Sequence, residues 1–108
     1  MSYTVNDFDE YEHTFKTLSG ALRFAYNQLT AFMRRWKGSE LETRVISYGN
    51  GKYTGTYVAR IRYRESLFTY YRNKNGIAYK LSSDGKLSAL TDTEKKIVYK
   101  VENNPKNW

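Results

Sequence analysis

Residues 57–65 read YVARIRYRE, and the fold turns on how that alternation is oriented. Arg60, Arg62 and Arg64 stand two apart, with Tyr57, Ala59, Ile61 and Tyr63 on the other parity. A strand sends successive side chains to opposite faces, so three guanidinium groups share one face and the rings share the other. A one-residue slip would bury three cations. The expectation is therefore Tyr57, Ile61 and Tyr63 inside, and Arg60, Arg62 and Arg64 in solvent.

The period of two extends in both directions from this stretch. LETRVISYG and KYTGTYVARIRYRE flank Gly49-Asn50-Gly51, whose residues tolerate positive φ and mark a hairpin. LFTYYR follows Glu65-Ser66, NKNG turns into IAYKLSS, and SDGK turns into LSAL. Upstream the period is helical. Phe15, Leu18, Leu22, Ala25, Leu29, Phe32 and Trp36 are spaced by three and four, which places them on one stripe. Thr17 or Ser19 suits the start, with VNDFDEYEH as a preceding turn or short helix. Gly38 suits the end, after cations at Arg34, Arg35 and Lys37.

The segment after LSAL carries two signals. TDTE has the form of a capping box opening a helix at Asp92, whereas KIVYKV alternates. The β-forming residues Ile97, Val98, Tyr99 and Val101 favour a strand. The expected architecture is α+β: one long N-terminal helix packed on a twisted antiparallel meander of four to five strands. It forms a single domain over 1–108, with an acidic N-terminal segment at 1–13 and a tail at 103–108. Trp108 is expected to pack back on its own domain.

The chain has no cysteine, which excludes disulfides and thiolate sites, and no apolar run long enough to span a bilayer. Its start lacks the basic-then-apolar order of a secretory signal, so a cytoplasmic location is expected. Asp7, Asp9, Glu10 and Glu12 load the first dozen residues with carboxylates, against a net charge of +7 overall. Between Lys52 and Lys80, seven cations face Glu65 alone, among tyrosines at 53, 57, 63, 70, 71 and 79. Cations meet phosphates while rings stack on bases. With Tyr57, Ile61 and Tyr63 inside, the outward face would hold Arg60, Arg62 and Arg64, then Arg44 and Tyr48, then Phe68, Tyr70 and Arg72, then Lys80. Arginine's planar fork suits phosphate or carboxylate.

Chemistry finds little footing. His13 is the one histidine and has no nucleophile or triad partner near it in sequence, so no enzyme is expected. The four early carboxylates lack the spacing and glycine of a calcium loop, and capping of a helix start explains them. No metal or cofactor is expected. YGNGKYTG lacks the lysine–serine/threonine order of a phosphate loop and is read as a hairpin.

Short, cysteine-free, rich in Tyr, Asn and Lys, and built as one helix plus a meander, the chain is similar in character to small accessory proteins of phages and mobile elements, anti-CRISPR proteins among them. That resemblance implies a stoichiometric inhibitor and assigns no residue a role. The leading expectation is a non-catalytic protein whose basic, tyrosine-rich sheet face binds nucleic acid or a nucleoprotein. Arg60, Arg62, Arg64, Arg72, Lys80 and Arg44 would supply charge, and Tyr48 and Tyr70 the rings. The rivals are an inhibitor of a host defence nuclease, such as a CRISPR effector, and a homodimer joined through the helix. Partners are then nucleic acid, a nucleoprotein or that nuclease, with no membrane, and the protein is a monomer or homodimer.

Overall fold

The structure, a computed structural model, describes residues 2–7, 9–35, 40–49 and 52–108, with side chains omitted at 32–35 and 52–54. The elements run β1 (Tyr3–Asn6), β2 (Glu12–Phe15), α1 (Leu18–Arg35), β3 (Leu41–Tyr48), β4 (Lys52–Tyr63), β5 (Ser66–Arg72), β6 (Ala78–Leu81), β7 (Leu87–Ser88) and α2 (Asp92–Glu102), then a 3₁₀ turn at Pro105–Asn107. Among the described residues, the seven strands form one antiparallel sheet in the order β2-β1-β3-β4-β5-β6-β7. The α+β class and an antiparallel meander from β3 to β7 stand as expected, but the sheet has seven strands where four to five were expected, and two helices where one was. Expectations for Trp36, Lys37, Gly38, Asn50 and Gly51 lie outside the described residues, as does the expectation for the side chain of Phe32.

The helix is not N-terminal. β1 and β2 form a hairpin in which Asp7 Oδ1 accepts the N–H groups of Asp9 and Tyr11, at 2.9 and 3.0 Å, while Glu10 takes a φ of 65°. The Asp7 carboxylate therefore shapes a hairpin, and none of the four early carboxylates lies in the first turn of α1. Thr17 Oγ1 starts α1 by accepting from Gly20 N at 3.1 Å. Strands of four residues are too short to show an alternation against mixed charge. Tyr3–Asn6 and Glu12–Phe15, in and after the acidic segment, are thus strands of the sheet, with β1 paired to β3 through Tyr3–Tyr48 and Thr4–Ser47.

Residues 92–102 are a helix, which corrects the strand expected there. Thr91 Oγ1 accepts from Glu94 N at 3.1 Å, and Glu94 Oε1 accepts from Thr91 N at 2.9 Å, so the capping box is complete. Val98 and Val101, three apart, face the sheet. Burial on that stripe overrides the β preference of the side chains.

The two helices take opposite faces. Ala21, Leu22, Ala25 and Leu29 of α1 pack on Val5, Ile46, Val58, Tyr71 and Leu81. Val98 and Val101 of α2, with Leu90, pack on Leu41, Ala59, Ile61, Phe68 and Tyr70. Gly85, at φ +86° in the β6–β7 turn, sits where a Cβ would lie 2.8 Å from the Ser19 carbonyl oxygen, so that turn abuts α1.

The alternation of β4 is correct, but both of its faces are covered. Ala59 and Ile61 are buried under α2 with Tyr57 and Tyr63 half-buried, whereas Thr56, Val58 and Arg60 are buried on the α1 side. Arg60 is 6% exposed, against the expectation for it, while Arg62 and Arg64 are exposed. Directly opposed residues share a face, and Tyr57–Arg72, Ala59–Tyr70 and Ile61–Phe68 are opposed. Phe68, Tyr70 and Arg72 therefore lie with Tyr57 and Ile61, and Lys80 joins them through Tyr70. The expected single cationic face is split between two.

Leu29 is fully buried, so Leu29→Ala should cost about 2–5 kcal/mol in a denaturant titration. Thr91→Ala should cost about 1 kcal/mol by the same measurement, through loss of the cap.

Candidate nucleic-acid interface

Arg60 is held inside by three groups. Its Nε donates to Thr69 Oγ1 at 2.8 Å, its Nη1 to Thr30 Oγ1 at 2.5 Å, and its guanidinium carbon lies 4.4 Å from the centre of the Tyr26 ring. Burial lowers its pKa, and the contact with Tyr26 acts the other way. This arginine ties β4, β5 and α1 together and is closed to a partner.

Arg72 has a similar role on the opposite face. Its Nε donates to Tyr57 Oη at 2.9 Å, its Nη1 to the Gly76 carbonyl at 2.6 Å, and its Nη2 to both Glu102 carboxylate oxygens at 2.8 and 2.9 Å. Tyr57 Oη donates to Glu102 Oε2 at 2.8 Å, and Tyr70 Oη donates to the same oxygen. Burial, reinforced by the Glu102 carboxylate, pushes the Tyr57 hydroxyl up to about 12 and the Tyr70 hydroxyl higher still. Burial also opposes the charge on Arg72, but its bonds to Glu102 and Tyr57 outweigh that and hold it above its ordinary range. The cluster fastens the last turn of α2 to β4 and β5.

The remaining expected residues disperse. Lys80 pairs with Glu94 at 3.0 Å. Tyr48 and Tyr71 join hydroxyls at 3.0 Å on the α1 side. Arg44 is half-buried opposite Val58, its Nη1 3.5 Å from the Thr43 carbonyl. Tyr70 is wholly buried, which corrects its expected exposure. Of the eight, Arg62 and Arg64 stand open, with no ion pair among the described residues.

A different surface collects charge and rings. The outward side of α2 presents Lys95, Lys96 and Lys100 around Tyr99, which is 73% exposed. Among the described residues, none of the three lysines makes an ion pair. Glu94 and Glu102 are bonded to Lys80 and Arg72, which leaves Asp92, at the first turn, as the helix's remaining carboxylate. Lys100 Nζ lies 5.6 Å and Arg64 Cζ 5.1 Å from the centre of the Tyr63 ring, extending the band to the β4–β5 turn. On its other side, Lys95 and Tyr99 edge a pocket of about 410 Å³. The signal for this face was in the sequence: a capping box followed by lysines at 95, 96 and 100 places those lysines together on a helix, and on a strand it scatters them.

Other features have local explanations. His13 Nε2 lies 2.8 Å from Asp7 Oδ2, a contact that holds the Asp7 carboxyl below its ordinary range, and its ring packs 4.4 Å from Phe24. Trp108 turns back as expected, donating Nε1–H to the Glu102 carbonyl at 2.7 Å and meeting Tyr57 edge-on, yet it stays 65% exposed. Among the described residues, no group of three or more metal-ligating side chains is present. No described helix is long and apolar enough to cross a membrane. Comparison of the chain with protein-family models, with curated proteins and with solved structures gives no match.

Removing the Glu102 carboxylate leaves Arg72 and two tyrosines without their shared acceptor, so Glu102→Ala should destabilise by about 2–4 kcal/mol in a denaturant titration. Alkali should act on the same cluster. The folded pKa of Tyr57, near 12, exceeds its ordinary 10.0, so the folded chain keeps a proton that the unfolded chain releases above about pH 10. Stability should hold below that pH and fall from about 10 toward 12. Tyrosinate absorbance should rise together with the loss of helical circular dichroism.

Proposed function

We propose that the protein is a non-catalytic nucleic-acid-binding protein whose contact surface is the outward side of α2 and the adjoining β4–β5 turn. This relocates the binding surface from the sheet face, where Arg60 and Tyr70 are consumed by packing. The observation that carries the reading is the set of Lys95, Lys96 and Lys100, without ion pairs among the described residues, around the open ring of Tyr99. Lysine is depleted at protein–protein interfaces, whereas it is a standard counter-charge for phosphate. An exposed ring suits a base with a free π-face, which favours a single strand over a duplex. Arg64 and Tyr63 lengthen the track.

Lys95→Gln, Lys96→Gln and Lys100→Gln together should weaken binding to single-stranded DNA at least about tenfold. The slope of log affinity against log salt should flatten by about 2 units, near 0.7 for each phosphate that no longer meets a cation. Stability should move by less than about 0.5 kcal/mol per exposed substitution. Arg60→Ser should behave in the reverse manner, destabilising the fold while leaving the salt slope unchanged. Capture of a host nuclease by a protein with no affinity for free strands would replace this reading with the inhibitor.

A further inference from the structure

The β5–β6 turn and α2 border an open pocket of about 410 Å³, within the range of roughly 300–1,000 Å³ typical of small-ligand sites. Its floor includes Leu90 and Val98, and its rim carries Ile77 and Tyr99, which are 49% and 73% exposed. Two large apolar groups left open across one pocket leave surface that a flat occupant would remove from water. The rim is rigid on the turn side. Asn73 Oδ1 accepts the Ile77 N–H at 3.0 Å, and Asn73 N donates to the Ile77 carbonyl at 2.9 Å.

Charge narrows the occupant further. Arg72 and Glu102 in the wall satisfy each other, so the wall offers an incoming group no net charge. Lys95 at the edge has no counter-ion among the described residues. Asn103 commits its Nδ2 to the Tyr99 carbonyl at 2.7 Å, which leaves its Oδ1 to accept from an amino group. A neutral ring inside and an anion at the rim fit this layout.

We propose that this pocket receives a planar aromatic ring carrying a nearby anionic group, the base and phosphate of one unit of a single strand. The inference rests on the reading of α2 as a nucleic-acid face, and it adds that one base leaves the stack and enters the protein. Ile77 and Tyr99 grip its faces, and Lys95 meets its phosphate.

The test measures fluorescence anisotropy at low salt with two probes, a mixed-sequence DNA strand of roughly 12 nucleotides and a strand of equal length lacking every base. The base-bearing strand should bind at least about tenfold tighter. Ile77→Ala alone, which spares the Tyr99 ring on α2, should reduce that difference, and its combination with Tyr99→Ala should remove most of it. Circular dichroism melts confirm that the variant is folded, and both positions are exposed enough to tolerate alanine. Equal affinity for the two strands would overturn the pocket and leave the cationic face intact. A base preference that survives in the double variant would also overturn it, since the ring would then be held elsewhere. Failure of both strands to bind would overturn this inference and the proposed function together. Displacement of the strand by adenosine monophosphate at matching concentration would support the ring-plus-anion chemistry and assign it to a free nucleotide.

Discussion

Both faces of β4 and β5 need cover, and that need organises the molecule. A half-buried antiparallel sheet requires one apolar face, whereas here Val58 and Tyr71 are buried on one side and Ala59, Ile61, Phe68 and Tyr70 on the other. One helix cannot satisfy two faces. The chain places α1 on the first and α2 on the second, joining them through five consecutive strands. Where the register of β3 shifts between Val45 and Ser47, the buried Thr56 hydroxyl donates to the Ile46 carbonyl at 2.8 Å, so that carbonyl is satisfied at the irregularity.

Two-sided burial also explains what the sequence showed and what it hid. The helix over 18–35 was legible from its apolar spacing and its Thr17 start, although Phe15, which the spacing counted into that stripe, ends β2 instead. The turns at Gly49, NKNG and SDGK were legible from their glycine and asparagine chemistry. Arg60 was misplaced because an arginine in an alternating strand reads as solvent-facing. Its donors meet Thr69 and Thr30 and its plane meets Tyr26, and the sequence holds no sign of that pocket, since its members lie 9 to 34 positions away. The β1–β2 hairpin was hidden by its brevity. The second helix was misread for a different reason: its apolar residues are β-formers, and the cap that contradicted them was outweighed.

The fate of the cations follows from their side chains. Arg60 and Arg72 work indoors because a guanidinium has several donors in a fixed plane and can be satisfied by hydroxyls, a carbonyl and a carboxylate at once. An ammonium has no such geometry and keeps its water. Lys95, Lys96 and Lys100 accordingly remain outside on α2, and the open charge of that face is made of point charges on flexible stems. The number of cations in a stretch was thus a poor guide to where charge is offered, since arginines near tyrosines and threonines were absorbed into packing.

An isolated helix of 11 residues is marginal in water, so the order of the α2 face must come from its attachments. At its first turn, Glu94 joins the capping box and reaches Lys80 on β6. At its last, Glu102 gathers Tyr57, Tyr70 and Arg72 from β4 and β5, and Trp108 bonds to the Glu102 carbonyl. Both carboxylates point inward at opposite ends of the helix, which turns the lysines outward between them. The same two residues that anchor α2 therefore neutralise cations on the sheet and withdraw two of the helix's three carboxylates from its outer face. Anchoring and a mainly cationic outer face, with Asp92 the one carboxylate of α2 left exposed, are a single arrangement, and it holds Lys95, Tyr99 and Lys100 in order on a helix too short to be stable alone.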